Sequence, residues 1–162
     1  RLPPRPPHTT RMTHRDPLLD PDRQYAIDGG RLVERNAARV LDLFPLAQVT
    51  RTRDVIQIDI HTDPDGERGV TILVTPEAYE LRLPTTEWTA GAYGPASSTR
   101  YLKRVTVRKA EGDALEELIR EAIARRDAEF IPCRFCGQPT PPEHRHRDVC
   151  HGCAEAHLGV VH

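Results

Sequence analysis

The chain has little from which a large core is built. Only 38% of its 162 residues are hydrophobic and 5% aromatic, with one Trp, three Phe and one Met. Charged residues make up 29%, and there are 15 prolines. A core of that size gains from an added staple. No apolar run approaches the ~20 residues of a membrane helix, and mean hydropathy is -0.57. No signal-type apolar segment opens the chain, so a cytoplasmic protein with no membrane partner is the expectation. Net charge is -1, which excludes a general polycation and leaves nucleic-acid contact to local patches. There is no internal repeat, Gly-rich phosphate loop or nucleophile elbow. Ser97 and Ser98 have no recognisable base near them in the sequence.

What is present in strength is a cysteine pattern. All four cysteines fall in two CxxC pairs, Cys133-Arg-Phe-Cys136 and Cys150-His-Gly-Cys153, with thirteen residues between the pairs. Two intervening residues let both sulfurs of a tight knuckle face one ion, and the loop returns the second pair to close a tetrahedron. Four thiolates leave no open coordination position, so one structural zinc ion is expected. The competing reading is two disulfides, or redox use, in an oxidising compartment. Gly137 follows the first pair and permits the left-handed backbone that a knuckle needs. Ala154, Glu155 and Leu158 favour a helical turn after the second pair, with Gly159 placed to cap it.

A CxxCG knuckle, a Pro-rich loop, then CxxC running into a helix resembles the DksA/TraR-type zinc finger of bacterial transcription regulators. The resemblance covers about residues 130–160. It implies a treble-clef finger with Cys133, Cys136, Cys150 and Cys153 as ligands, and it implies no partner. Five histidines share this tail: His144, His146, His151, His157 and His162. His157 lies one helical turn after Cys153 and is the best substitute ligand. Four thiolates already saturate zinc, so all five are expected to face solvent or to stand beside the metal site. Two enzyme readings are weaker. Pro132-Cys133-Arg-Phe-Cys136 matches half of the zinc nucleobase deaminase signature, but the chain has no HxE, and His61-Thr-Asp63 is a poor stand-in. A His-metal nuclease using Glu143, His144 or His146 needs a longer loop between the cysteine pairs.

Upstream, residues 1–23 hold six prolines and five arginines and read as a disordered arm. Leu32, Val33, Ala37, Val40, Leu41 and Phe44 recur at helical spacing over 30–44, after Asp28-Gly29 and before Pro45. Ile56, Ile58 and Ile60 alternate as a strand. An acidic turn containing Asp63, Asp65 and Glu67 joins it to a second strand over 70–75. Val74 stands where an EF-hand requires Glu, so that turn is read as solvated rather than calcium-binding. Tyr79 to Leu83 is a third strand, stopped by Pro84. Residues 84–99 read as a loop bearing Trp88 and Tyr93. Asp113 and Glu116 resemble a capping box opening a helix to about Glu129, striped by Leu115, Leu118, Ile119, Ala122 and Ile123. That helix feeds directly into the cysteine region, which places the finger close against the domain.

Arg100, Lys103, Arg104, Arg108 and Lys109 form a run of cations with no acid among them. As one strand, Leu102, Arg104, Thr106 and Arg108 share the outer face, with the two arginines about 14 Å apart. Trp88, Tyr93 and Tyr101 stand near enough in sequence to stack bases. The expectation is an α+β fold: a small, mainly antiparallel sheet of three or four strands with two helices over 24–129, then a four-cysteine zinc finger over 130–162. The function expected is a non-catalytic zinc-binding module contacting nucleic acid, or a nucleic-acid-associated complex, through 88–109. The alternative is a protein-interaction adapter using the finger and the Pro-rich arm.

Overall fold

The computed structural model describes residues 21–52, 55–88 and 94–160, with the backbone alone for 21–28. Most of the expected arm, residues 1–20, and Tyr93 lie outside these residues. Helix α1 spans Pro21–Leu43. It starts nine residues before Gly30, so the last three residues of the expected arm are helical. Proline suits a first helical turn, where its missing N–H costs nothing. Val33, Ala37 and Val40 are buried at the helical period, whereas Leu32 is exposed and does not belong to the stripe.

Five antiparallel strands follow in simple order: β1 (Gln48–Arg51), β2 (Ile56–His61), β3 (Gly69–Val74), β4 (Ala78–Glu87) and β5 (Ala96–Thr106). The β2–β3 hairpin pairs Ile56 with Val74 and His61 with Gly69. Ile56, Ile58 and Ile60 face inward together with Val70, Ile72 and Val74. Helix α2 (Ala114–Asp127) lays Leu115, Ile119 and Ala122 on β3 and β4. Both helices therefore cover one face of the sheet, and the other face stays polar.

Several local expectations need correction. Strand β1, whose residues are mostly exposed, carries too little hydrophobic alternation to be read from sequence. Pro84 does not stop β4. Pairing with β3 ends at Arg82 while pairing with β5 continues through Pro84 to Glu87, so this stretch has one strand neighbour and tolerates a missing donor. The 84–99 segment is therefore largely the long β4–β5 hairpin. A bulge at Leu81/Arg82, where Leu81 pairs with Lys103 and Arg82 with Tyr101, leaves Leu102 without a partner in the register. It breaks the alternation of β5, packs Leu102 on the core and leaves Tyr101 exposed. Strand β5 ends at Thr106, and Arg108 and Lys109 lie in a 3-10 turn, so Arg104 and Arg108 do not share an extended strand. Asp113 is helical in conformation and makes no capping bond, so the capping box is not formed.

One buried polar group ties helix to sheet. Asn36, on the inner stripe of α1, donates to the carbonyls of Thr75 and Pro76 at 3.0 and 3.1 Å, and its own carbonyl accepts from the Tyr79 hydroxyl. Gly69 is the tightest backbone position: its φ is +118°, and a Cβ there would stand 1.8 Å from the Ile60 carbonyl oxygen. Gly69→Ala is expected to destabilise the fold by more than about 3 kcal/mol. Denaturant unfolding reads this directly, and a loss below about 1 kcal/mol would contradict the β2–β3 register.

Candidate metal centre and its docking on the sheet

The cysteine region is built from three small pieces. Strands β6 (Ile131–Pro132) and β7 (Pro139–Thr140) frame the first knuckle. Inside it Cys133 N–H donates to the Gln138 carbonyl and Gly137 N–H to the Cys133 carbonyl, at 2.9 and 2.8 Å. Gly137 takes φ 73°, the left-handed value that closes this turn. Strands β8 (Arg145–His146) and β9 (Val149–Cys150) form a second hairpin, which runs straight into α3 (His151–Leu158). Gly159, at φ 63°, caps that helix as its sequence position implied. The bond from Arg134 N–H to the Asp148 carbonyl joins the two halves at 2.9 Å.

This arrangement gathers Cys133, Cys136, Cys150 and Cys153. Their sulfurs all lie within 4.8 Å of one another, a set that could hold a metal ion. None is in a disulfide. Backbone N–H groups of Cys136 and Cys150 point at the Cys133 sulfur and hold its thiol down to about 6. The Cys150 sulfur, followed by burial, pushes the Cys153 thiol up to about 12. Clustered thiols resist ionising together, and a divalent cation relieves that resistance. His157 is not in the set; its ring stacks on Phe135 at 4.6 Å.

The finger is docked on the sheet rather than tethered to it. Arg126, near the end of α2, is the largest fully buried side chain, with 1% of it exposed. Its Nε donates to the Glu67 carbonyl at 2.8 Å, one terminal nitrogen to Glu129 at 2.8 Å, and the other to Glu143 at 2.5 Å. The Phe130 ring lies 4.9 Å beneath the guanidinium. Burial opposes the charge on Glu129, but the Arg100 and Arg126 guanidiniums outweigh it and hold this carboxyl below its ordinary value. Arg145, on the finger, donates to the Glu129 carbonyl at 2.8 Å.

Trp88 and His144 complete the joint. The Trp88 indole N–H donates to the Glu143 carbonyl at 2.9 Å, and its ring meets His144 and His151 edge-on at 5.8 and 5.4 Å. The Nε2 atom of His144 lies 2.9 Å from Glu67 and 3.1 Å from the Thr86 hydroxyl. The expectation that the tail histidines are bystanders fails for His144, and Glu67 is more than a solvated turn residue. Carboxylate, imidazole and hydroxyl meet here, as in a nucleophilic triad. Both partners share one ring nitrogen, however, whereas a triad base needs one nitrogen for each. The group works as a clasp.

Of the expected nucleic-acid residues, Lys103, Arg104, Arg108, Lys109 and Tyr101 are exposed. Arg100 is engaged by Glu129, and Trp88 is held by the finger. Pairwise spacing in the sequence carried no sign of the Arg126–Glu143 or His144–Glu67 contacts, because these partners stand 17 and 77 positions apart. No described helix is long and apolar enough to cross a membrane. No family model matches the chain, and no curated protein or solved structure matches it.

Arg126→Met leaves the Glu143 and Glu129 carboxylates without their buried partner. The expected loss is about 3–5 kcal/mol of unfolding free energy, read by denaturant melts. The depressed Glu129 contributes stability that is complete above its ordinary value of 4.5 and is lost as pH falls through the lower folded value. Acid unfolding of Arg126→Met should therefore depend less steeply on pH in that range. An unchanged acid limb would contradict the linkage.

Proposed function

We propose that this chain is a non-catalytic zinc-binding module that contacts nucleic acid through the basic end of β5 and the 3-10 turn that follows it. Zinc is the ion that suits the centre. Four thiolates make a soft, closed set. The 3.8 Å between the Cys136 and Cys150 sulfurs equals the edge of a tetrahedron with Zn–S bonds of about 2.3 Å. The order of knuckle, hairpin and helix supports the treble-clef, DksA/TraR-like reading of the finger. Bound zinc would fix the finger, and no open coordination position remains for chemistry.

The observation that carries the nucleic-acid reading is a concentration of unspent charge. Lys103, Arg104, Arg108 and Lys109 are exposed within seven residues, and none pairs with a carboxylate among the described residues. Elsewhere Arg51, Arg68, Arg82, Arg100, Arg120 and Arg126 each have an acidic partner. Tyr101, 59% exposed, stands two residues before Lys103 and offers a stacking surface for an unpaired base. Arg100 and Trp88 are left out of the contact set because the finger joint uses them.

Three measurements test this reading. X-ray absorption on the purified chain should find one zinc ion with four sulfur neighbours at about 2.3 Å and no nitrogen. Zinc affinity should fall as pH is lowered, because the cysteines bind zinc as thiolates and must shed their protons on binding, Cys133 most readily and Cys153 least. Affinity for a single-stranded oligonucleotide should fall steeply with salt. Arg104→Ala with Lys109→Ala should lower it about tenfold or more and flatten the salt slope by roughly 0.7 per lost phosphate contact. Zinc without oligonucleotide binding at low salt would sink the nucleic-acid reading and favour the adapter.

A further inference from the structure

A cleft of about 610 Å³ opens where the β2–β3 turn, the far end of the β4–β5 hairpin and the finger converge. Its lining includes neither the basic end of β5 nor the cysteine sulfurs. Its floor is organised. Asp59, on the polar face of β2, accepts from the Thr71 hydroxyl at 2.6 Å and from the Gln57 amide at 2.8 Å. Those two bonds fix the carboxylate in place and leave lone pairs for a further donor. Thr85 and Ser97, on the opposite wall, make no side-chain hydrogen bond among the described residues. Asp65 stands exposed at the turn with its carboxylate unspent.

We propose that this cleft is a second binding site, for a small organic cation that carries additional hydrogen-bonding groups, such as a polyamine or an amino sugar. Charge selects the class. Four carboxylates, of Asp59, Asp65, Glu67 and Glu143, line the cleft with one guanidinium, Arg126, and one imidazole, His61; Glu143 is paired with Arg126 and Glu67 meets His144, so Asp59 and Asp65 are the carboxylates left without a basic partner among the described residues. That guanidinium is already committed to Glu129, Glu143 and the Glu67 carbonyl. Carboxylates thus outnumber the basic groups of the lining, which disfavours an anion. An apolar molecule finds a lining dominated by hydroxyls, carboxylates and an amide, whose hydration it would have to displace without replacing. An ammonium group near Asp59 and Asp65 gains charge-assisted bonds, and the hydroxyls of Thr85 and Ser97 can serve the rest of the molecule. The volume suits a single small ligand.

The test uses the full zinc-loaded chain, with spermidine, glucosamine and, as an anionic control, citrate. Calorimetry at low salt should give saturable one-site binding of an amine and none of citrate. Amide shifts should concentrate on β2, the β2–β3 turn and the far end of β4–β5. Asp59→Asn should weaken binding about tenfold. Asp65→Asn, at an exposed turn position, should weaken it several-fold. Oligonucleotide binding is measured on the same variants and should survive both, which separates this site from the basic end of β5. Absence of saturable amine binding at millimolar concentration would overturn the proposal, as would affinity unchanged from the parent chain in both variants. Capture of a basic peptide without any small amine would assign the cleft to protein recognition and overturn it too.

Discussion

Arg126 is the constraint on which the rest of this structure turns. Taking a guanidinium out of water is costly, and its ion pairs repay the cost only when geometry is good and the remaining donors are satisfied. Here three stretches of chain supply what is needed: the Glu67 carbonyl from the β2–β3 turn, Glu129 just after α2, and Glu143 from between the two cysteine pairs. The Phe130 ring covers its face. The side chain therefore fixes where α2 ends, where the turn sits and how the finger lies against both. Trp88 and His144 reinforce the same joint from the other side.

The small core explains why such a joint is useful. One cluster of aliphatic residues lies between the sheet and two helices, and the finger contributes only a minor second cluster around Cys133, Val149 and Ala154. A finger with so few apolar groups cannot hold its own shape by burial alone. Four converging sulfurs can supply the missing cohesion through a metal ion. The docking interactions then transmit that order to the sheet. The same joint builds one wall of the polar cleft, so the cleft's geometry depends on the finger being in place.

The cysteine cluster was legible in the sequence because CxxC spacing is a local geometric statement. The α+β class and the β2–β3 hairpin were legible because Ile56, Ile58 and Ile60 alternate cleanly around a turn rich in Asp and Gly. What was not legible depends on distant neighbours. Pro84 reads locally as a terminator, yet it is accommodated because β3 has already ended. Tyr101 and Leu102 read as alternate faces of one strand, yet a bulge set by the register against β4 reverses them. Glu67 reads as part of a solvated turn and His144 as facing solvent or standing beside the metal site, because their partners are far away in sequence. All five cations of the basic run are exposed, Lys103 included although strict alternation from Tyr101 turns it inward, but Arg100 is spent on a carboxylate that only folding brings near.

Finger and sheet form one mechanical unit joined through Arg126, and a metal ion on the four sulfurs would hold that unit in register. Hydrogen exchange of the zinc-loaded chain against the same chain after chelation tests it most directly. Protection should be lost over 131–158, and also at Glu67 to Gly69 and in the last turn of α2, while strands β2 and β3 stay protected beyond that turn. Loss confined to 131–158, with the turn and the end of α2 unchanged, would contradict it.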